Sequence, residues 1–267
     1  MMAAAIRFLV LCAMMSAVVS APVLAQDSTE PPPPKSSPIR PVVEESLPRA
    51  GGILVFGGTQ GVGLETVKEL VARHEHVTVM VRPTSNTEVL KALGVNIVIG
   101  DALNAHSVKQ AFTAAPFRAA ISVLGGHKNY SVDGEGNKNV IDAAKDAGIP
   151  RLVLVTSLGA GDSAAAAPWY LAWALRMFMK DYMAAKTMAE DHLRATDLDY
   201  TIIRPGLLLD SAKAGTPALV PEIDAFSGIT RADLGKLVAA SVEDTNTFKK
   251  VLTAFDASRS SLWKMLF

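Results

Sequence analysis

Short apolar runs alternate along the chain with stretches whose apolar positions recur every three or four residues. Glycine, proline or a charge marks the joins. Gly52 to Phe56 (Gly-Ile-Leu-Val-Phe) has no polar side chain, the pattern of a strand covered on both faces. Leu64, Val67, Leu70 and Val71 then share one face of a predicted helix over Leu64 to Arg73. His76 to Val81 is rich in β-branched residues and stops at Arg82-Pro83, and Val95 to Ile99 stops at Gly100-Asp101. Ser107 to Ala115 reads as a short helix and Ala119 to Leu124 as a strand before Gly125-Gly126. Gly136 to Ala147 reads as a helix closed by Gly148, followed by a strand at Leu152 to Thr156. A helix over Met183 to Ala195 precedes a strand at Tyr200 to Arg204, which ends at Pro205-Gly206. Thr230-Arg231-Ala232-Asp233 has the spacing of a capping box ahead of a helix at Leu234 to Val242, and Phe248 to Ala254 is the last strand.

Strands of buried type alternating with helices predict an α/β fold, a doubly wound parallel sheet with both faces covered. In such a sheet ligands sit in the crevice at the carboxyl ends of the strands. The unusual residues of this chain cluster just after strands, on that edge.

The first residues follow a different pattern. Met1 to Ala25 reads as a secretory signal: Arg7, then an uncharged run from Phe8 to Val19, then Val23-Leu24-Ala25 at the cleavage position. The run is shorter than the roughly 20 residues of a spanning helix. A retained membrane anchor and a first core helix are the alternatives. Gln26 to Pro48 holds Pro31 to Pro34, Pro38, Pro41 and Pro48. Proline lacks an amide donor and fixes φ, so this stretch reads as a stiff tether. The folded part is expected as one domain over residues 49–267, with no internal repeat or second linker. A genuine signal predicts a periplasmic or secreted protein; otherwise the chain is membrane-anchored or cytoplasmic.

Composition narrows the function classes. The chain has 267 residues with 26 basic and 26 acidic side chains, so its formal charge is zero and nucleic acid is not an expected partner. Hydrophobic residues at 49 % suffice for a full core. Cys12 is the single cysteine, which excludes a disulfide framework and a cysteine metal cluster. The five histidines show no metal-ligand spacing, so no metal is expected.

The strongest chemical signal is Gly57-Gly58-Thr59-Gln60-Gly61-Val62-Gly63, between the first strand and the first helix. Gly57 permits the sharp turn, Gly61 lets backbone approach a diphosphate, and Gly63 permits close helix–sheet contact. The helix start offers free amides and a positive dipole end to phosphate. A dinucleotide is therefore expected. At the end of the next strand Val81-Arg82-Pro83 carries no acid. A carboxylate there would hold ribose hydroxyls, whereas Arg82 attracts a 2′-phosphate, so NADP is favoured over NAD. Asp101 could accept from the adenine amino group or could cap a turn.

Four segments together resemble a known family: Val55 to Gly63, Gly100-Asp101-Ala102, Val155-Thr156-Ser157-Leu158-Gly159-Ala160 and Asp199 to Gly206. They look like an atypical short-chain dehydrogenase/reductase of the NAD(P)-binding, NmrA-like type, which includes biliverdin reductase B-like proteins. The likeness covers about Gly51 to Thr253. It implies a Rossmann fold, NADP, and a nicotinamide site near Leu124-Gly125, Ser157, Lys186 and Pro205-Gly206-Leu207. It implies no particular substrate. Gln60 is a departure, because relatives commonly carry glycine there.

Hydride transfer to a carbonyl needs an acid for the forming alkoxide. A tyrosine serves if an ammonium lowers its pKa of about 10. Tyr182 and Lys186 are spaced to share one helix face. The expected triad is Ser157 polarising the substrate, Tyr182 donating, and Lys186 holding the nicotinamide ribose while depressing the tyrosine. Chance spacing of Tyr182 and Lys186 is the alternative, under which hydride passes to a flavin-like or quinone-like acceptor, or NADP is bound without turnover. Ser157 lies outside any G-x-S-x-G elbow, which argues against a serine hydrolase. Pro168 to Met179 is apolar around most of its circumference. It reads as a lid for an apolar or aromatic small-molecule substrate, as a partner or membrane contact, or as a helix packed on the sheet. The expected function is an NADP-dependent oxidoreductase; a catalytically idle NADP-binding sensor or scaffold is the rival. Export would sit awkwardly with a cofactor concentrated in the cytoplasm. Oligomeric state has no signature in the sequence.

Overall fold

The computed structural model describes residues 51–126, 130–166, 177–211, 214–221 and 227–259. The segments read as signal and tether lie outside the described residues. So does most of the apolar stretch beginning at Pro168.

Eight strands form the main sheet in the order β3-β2-β1-β4-β5-β6-β10-β8. They are β1 (Gly52–Phe56), β2 (Val77–Val81), β3 (Asn96–Ile99), β4 (Phe117–Ser122), β5 (Arg151–Val155), β6 (Asp199–Pro205), β8 (Pro217–Val220) and β10 (Lys250–Asp256). All neighbours pair parallel except β8, which runs antiparallel to β10 and closes one edge. Pro217 opens β8, a position where a missing amide costs no ladder bond. Two short strands, β7 (Leu207–Leu209) and β9 (Gly228–Thr230), pair separately beyond the end of β6. The helices are α1 (Gly61–Ala72), α2 (Glu88–Ala92), α3 (Ala105–Phe112), α4 (Asn137–Asp146), α5 (Ser163–Ala166), α6 (Lys180–Arg194) and α7 (Arg231–Ser241).

Alternation along each strand splits the core into two layers. Ile53, Val55, Val79, Ile121, Val153 and Ile203 face one side, with Val67 and Leu70 of α1 and Leu234 and Val238 of α7. Leu54, Phe56, Ala120, Leu152, Leu154 and Ile202 face the other, with Val108 of α3, Val140 and Ile141 of α4, and Leu193 of α6. Both faces are dry, which is why the strands read as continuous apolar runs. The architecture is the predicted one: a single α/β Rossmann-like domain. Winding reverses between β1 and β4, so a crevice opens beyond their carboxyl ends.

The differences from expectation are local. α1 begins at Gly61 rather than Leu64, because a first turn needs no apolar residue. A π-helical turn at Val132–Gly136 precedes α4. β7, β8, β9, α2 and α5 are too short to leave a periodic signal.

Arg151 opens β5 and is fully buried. It donates to the carbonyl oxygens of Asp199 at 2.6 Å, Ser241 at 2.5 Å and Val242 at 3.2 Å, and to the Thr201 hydroxyl at 2.6 Å. Its guanidinium carbon stands 4.2 Å from the Phe248 ring centroid. One side chain thus ties β5 to β6 and to the end of α7. Arg151→Met should keep the volume and strand three buried carbonyls, lowering unfolding free energy by about 3 kcal/mol. Urea denaturation with an unchanged m-value checks this; a loss below about 1 kcal/mol would show that the carbonyls find other partners.

Candidate functional site

The turn after β1 is built by missing Cβ atoms. Gly57 has φ +84° and Gly61 has φ +57°, both in the left-handed region that favours glycine. A Cβ on Gly58 would stand 2.8 Å from Val79 Cγ1, and one on Gly63 would overlap the Gly57 carbonyl. The close contact with the sheet is therefore made at Gly58, whereas Gly63 packs on the turn itself. Gln60 caps α1 in extended backbone without a side-chain cap bond, and no acid lies in the first turn of α1. The leading amides of α1 thus meet no competing side-chain acceptor from these positions. Among the described residues outside its own helix and chain neighbours, a Cβ on Gly61 would meet Arg231 Cδ and Nε at 3.8 Å. These features fit an anionic diphosphate: space beside Gly61, a helix start, and no acid in its first turn.

Arg82 is exposed at the carboxyl end of β2. Asp101 follows β3, and its Oδ1 accepts from the Leu103 amide at 2.9 Å. That is the turn-capping alternative. Ala102 is buried, and its carbonyl accepts from Asn139 Nδ2 at 2.9 Å. Ala102 therefore anchors α4 to the loop after β3.

The catalytic candidates meet at the ends of β4, β5 and β6. Ser157 follows β5; its hydroxyl donates to the Leu158 carbonyl at 3.1 Å, and its proximity to Tyr182 on α6 favours the ionised phenol. Lys186, one turn further along α6, places Nζ 5.7 Å from the Tyr182 ring centroid. Its ammonium is buried and donates to the Leu124 carbonyl at 2.9 Å. It also pairs with Asp133 Oδ1 at 2.8 Å, and the other Asp133 oxygen accepts from the Gly126 amide at 2.8 Å. Asp133 lies fully buried in the π-helical turn. Gly125 is exposed beside it. The Pro205 carbonyl accepts from the Leu158 amide at 2.9 Å, which joins the β6 end to the Ser157 loop. A Cβ on Gly206 would overlap the Ser227 carbonyl, and Leu207 is exposed.

A second charge cluster supports this corner from behind. Glu190 of α6 is fully buried, accepts from the Thr156 hydroxyl at 2.6 Å, and receives Arg204 Nε at 3.0 Å and Nη2 at 2.5 Å. Arg204 Nη1 meets Asp162 at 2.6 Å. The residues flanking Ser157 are thereby tied to α6 and β6.

The sequence reading missed Asp133, because its predicted helix began only at Gly136. It also missed Tyr130, whose ring stands 5.5 Å from that of Tyr182 at 60°. The one available signal was an acid between Gly125-Gly126 and the helix. This acid corrects the expected electrostatics. Burial first, then the charge on Asp133, pushes the Tyr182 phenol up to about 12, with Ser157 only partly opposing them. The ammonium expected to depress the phenol is instead neutralised by the carboxylate. Burial also lowers the pKa of Lys186, against the pull of Asp133. Of the apolar stretch Pro168 to Met179, only 177–179 lie within the described residues, and Met177, Phe178 and Met179 are exposed.

A family model described as NAD(P)H-binding matches residues 57–245, from the glycine turn to the end of the last core helix. The chain belongs to this NAD(P)H-binding family. Relatives match over about three quarters of this chain and most of their own length. A Bacillus subtilis protein described as an uncharacterized sugar epimerase, YhfK, is 30 % identical over 211 residues, covering 76 % of this chain and 92 % of its own. The structure of ChuY, an anaerobillin reductase from Escherichia coli O157:H7, is 31 % identical with a TM-score of 0.68, covering 77 % of this chain and 97 % of that one. A Veillonella parvula short-chain dehydrogenase/reductase solved with NADP shares the fold at 19 % identity, TM-score 0.64, covering 79 % of this chain and 96 % of that one.

Two outcomes test the electrostatics. The tyrosinate absorbance step lost in Tyr182→Phe should lie near pH 12 rather than 10. Because the folded phenol binds its proton more tightly, its contribution to stability is complete below pH 10 and fades as pH rises to about 12. Asp133→Asn should move that step downward, as it removes the carboxylate charge and leaves Lys186 unopposed. A step at or below pH 10 in the unaltered protein would mean the lysine governs the phenol after all.

Proposed function

We propose that the protein is an NADP(H)-dependent oxidoreductase of short-chain type that reduces a carbonyl, quinone or flavin-like acceptor of apolar or aromatic character. When bound, the cofactor supplies a hydride at its nicotinamide. The observation that carries the reading is the placement of Ser157, Tyr182 and Lys186 on the same sheet edge as the glycine turn.

The turn Gly57 to Gly63 would hold the diphosphate, and Arg82 would hold the 2′-phosphate, since no acid competes there. The Leu124–Gly125 and Pro205–Leu207 strand ends would flank the nicotinamide. Ser157 orients the substrate oxygen and Tyr182 donates a proton to it. A phenol held near 12 keeps its proton at neutral pH. It is therefore available to donate to a developing alkoxide. The similarity to ChuY, an anaerobillin reductase, supports the reductive direction. Tyr130, Leu207 and the 177–179 segment supply exposed apolar surface, which supports an apolar or aromatic substrate.

One observation favours a second reading, an NADP-binding sensor or scaffold without turnover. Lys186 is buried and already engaged with Asp133 and Leu124, so it is not presented to a ribose.

Calorimetry with NADPH and NADH, followed by NADPH oxidation against carbonyl, quinone and flavin acceptors, separates these readings. Tyr182→Phe should cut carbonyl reduction by about 10²- to 10⁴-fold and leave NADPH affinity nearly unchanged. Arg82→Asp should shift preference toward NADH by about tenfold or more. NADPH binding without consumption of any acceptor would establish the second reading. No heat with either nucleotide would defeat both.

A further inference from the structure

Within the described residues a second arginine stands at the glycine turn. Arg231 is the first residue of α7, and its Cδ and Nε lie 3.8 Å from the point a Cβ on Gly61 would occupy. Among the described residues, and leaving aside the chain neighbours Gln60 and Val62, no other side chain comes within 4 Å of that point. Helix packing fixes this approach. A Cβ on Gly235 would stand 2.8 Å from Glu65 and 2.9 Å from the Thr66 amide nitrogen, so α7 lies directly against α1. Arg231 faces Gly61 and Gly235 faces Glu65, so the two helices run parallel and begin at the same sheet edge. The start of α7 is itself satisfied, because the Thr230 hydroxyl accepts from the Asp233 amide at 3.0 Å. The side chain, not the helix end, is what this arrangement brings to the turn.

The recorded ion-pair partner of Arg231 is Asp210, in the segment leaving β7. Asp210 is 85 % exposed and Arg231 32 %. A carboxylate this well solvated holds a guanidinium weakly. A diphosphate carries more charge, and its oxygens match the planar guanidinium fork. The first turn of α1 contributes amides but no cation.

We infer that Arg231 is a diphosphate-binding residue, with Asp210 as the counter-ion it gives up when a pyridine dinucleotide binds. The inference rests on the cofactor reading above and adds a residue to it. Arg82 would neutralise the 2′-phosphate at one strand end, and Arg231 the diphosphate at the turn. The two arginines thus serve chemically separable parts of one ligand.

Calorimetry on the full chain with NADPH, ADP and 2′-AMP tests this. Arg231→Gln should weaken NADPH and ADP by about tenfold or more and 2′-AMP by less than about twofold, since only the first two carry the diphosphate. Arg231→Lys should recover part of the loss. Asp210→Asn removes the competing carboxylate and should leave NADPH affinity unchanged or raise it by up to about fivefold. Should Arg231→Gln fail to fold, the lysine and Asp210→Asn variants decide the matter. ADP affinity within about twofold of the unaltered protein in Arg231→Gln overturns the inference alone. So does an Asp210→Asn loss equal to that of Arg231→Gln, because the pair would then be a brace for the turn. An unaltered protein that binds NADPH in no measurable amount overturns the cofactor reading as well.

Discussion

The buried pair of Lys186 and Asp133 braces the β4–β5 end of the crevice. Two opposite charges removed from water lose much hydration, and they stay ionised only where partners replace it. Here the partners come from different elements: the Leu124 carbonyl and Gly126 amide after β4, the π-helical turn, and α6. Removing one member would leave the other as an uncompensated buried charge, a change that typically costs about 3–5 kcal/mol. The pair therefore fixes the loop after β4 against α6. Burial first, and the Asp133 carboxylate second, hold the Tyr182 phenol above its ordinary pKa.

The two ends of the crevice are built on opposite electrostatic terms. At the β1–α1 turn the chain gathers donors: a helix start with no acid in its first turn, an exposed Arg82, and Arg231 paired with the solvent-exposed Asp210. At the β4–β5 ends it pairs its charges internally and leaves a neutral phenol and hydroxyl facing outward. A polyanionic ligand with one uncharged reactive ring fits that division. Behind the β5–β6 carboxyl ends, the Glu190–Arg204 pair ties α6 to β6. Arg151 is buried at the opposite edge of the sheet, where it replaces water for the carbonyls of Asp199, Ser241 and Val242.

Much of this was legible in the chain. β1 matches its predicted span from Gly52 to Phe56, and the neighbouring strands agree to within their ends. The turn was legible because its meaning is local: glycines at fixed spacing between an apolar run and a helical period admit few conformations. The capping signal at Thr230 was similarly local, and the Thr230 hydroxyl does cap α7. Ser157, Tyr182 and Lys186 were each identified from position after a strand or spacing on a helix, and the structure brings them together. Asp101 was left between adenine contact and turn cap, and its carboxylate serves the turn.

The local pattern of apolar side chains and glycines by itself determined the doubly wound sheet, its strand ends and the phosphate turn, since burial and backbone freedom are properties of short segments. Only the tertiary structure decided which charges would meet. Asp133 finds Lys186 across two elements, Arg151 and Arg204 enter the interior though their sequence neighbours gave no sign of it, and Arg231 reaches Gly61 because Gly235 lets α7 lie on α1. Coulombic partners and desolvation depend on distances between residues far apart in the chain, and no periodicity within one segment records them.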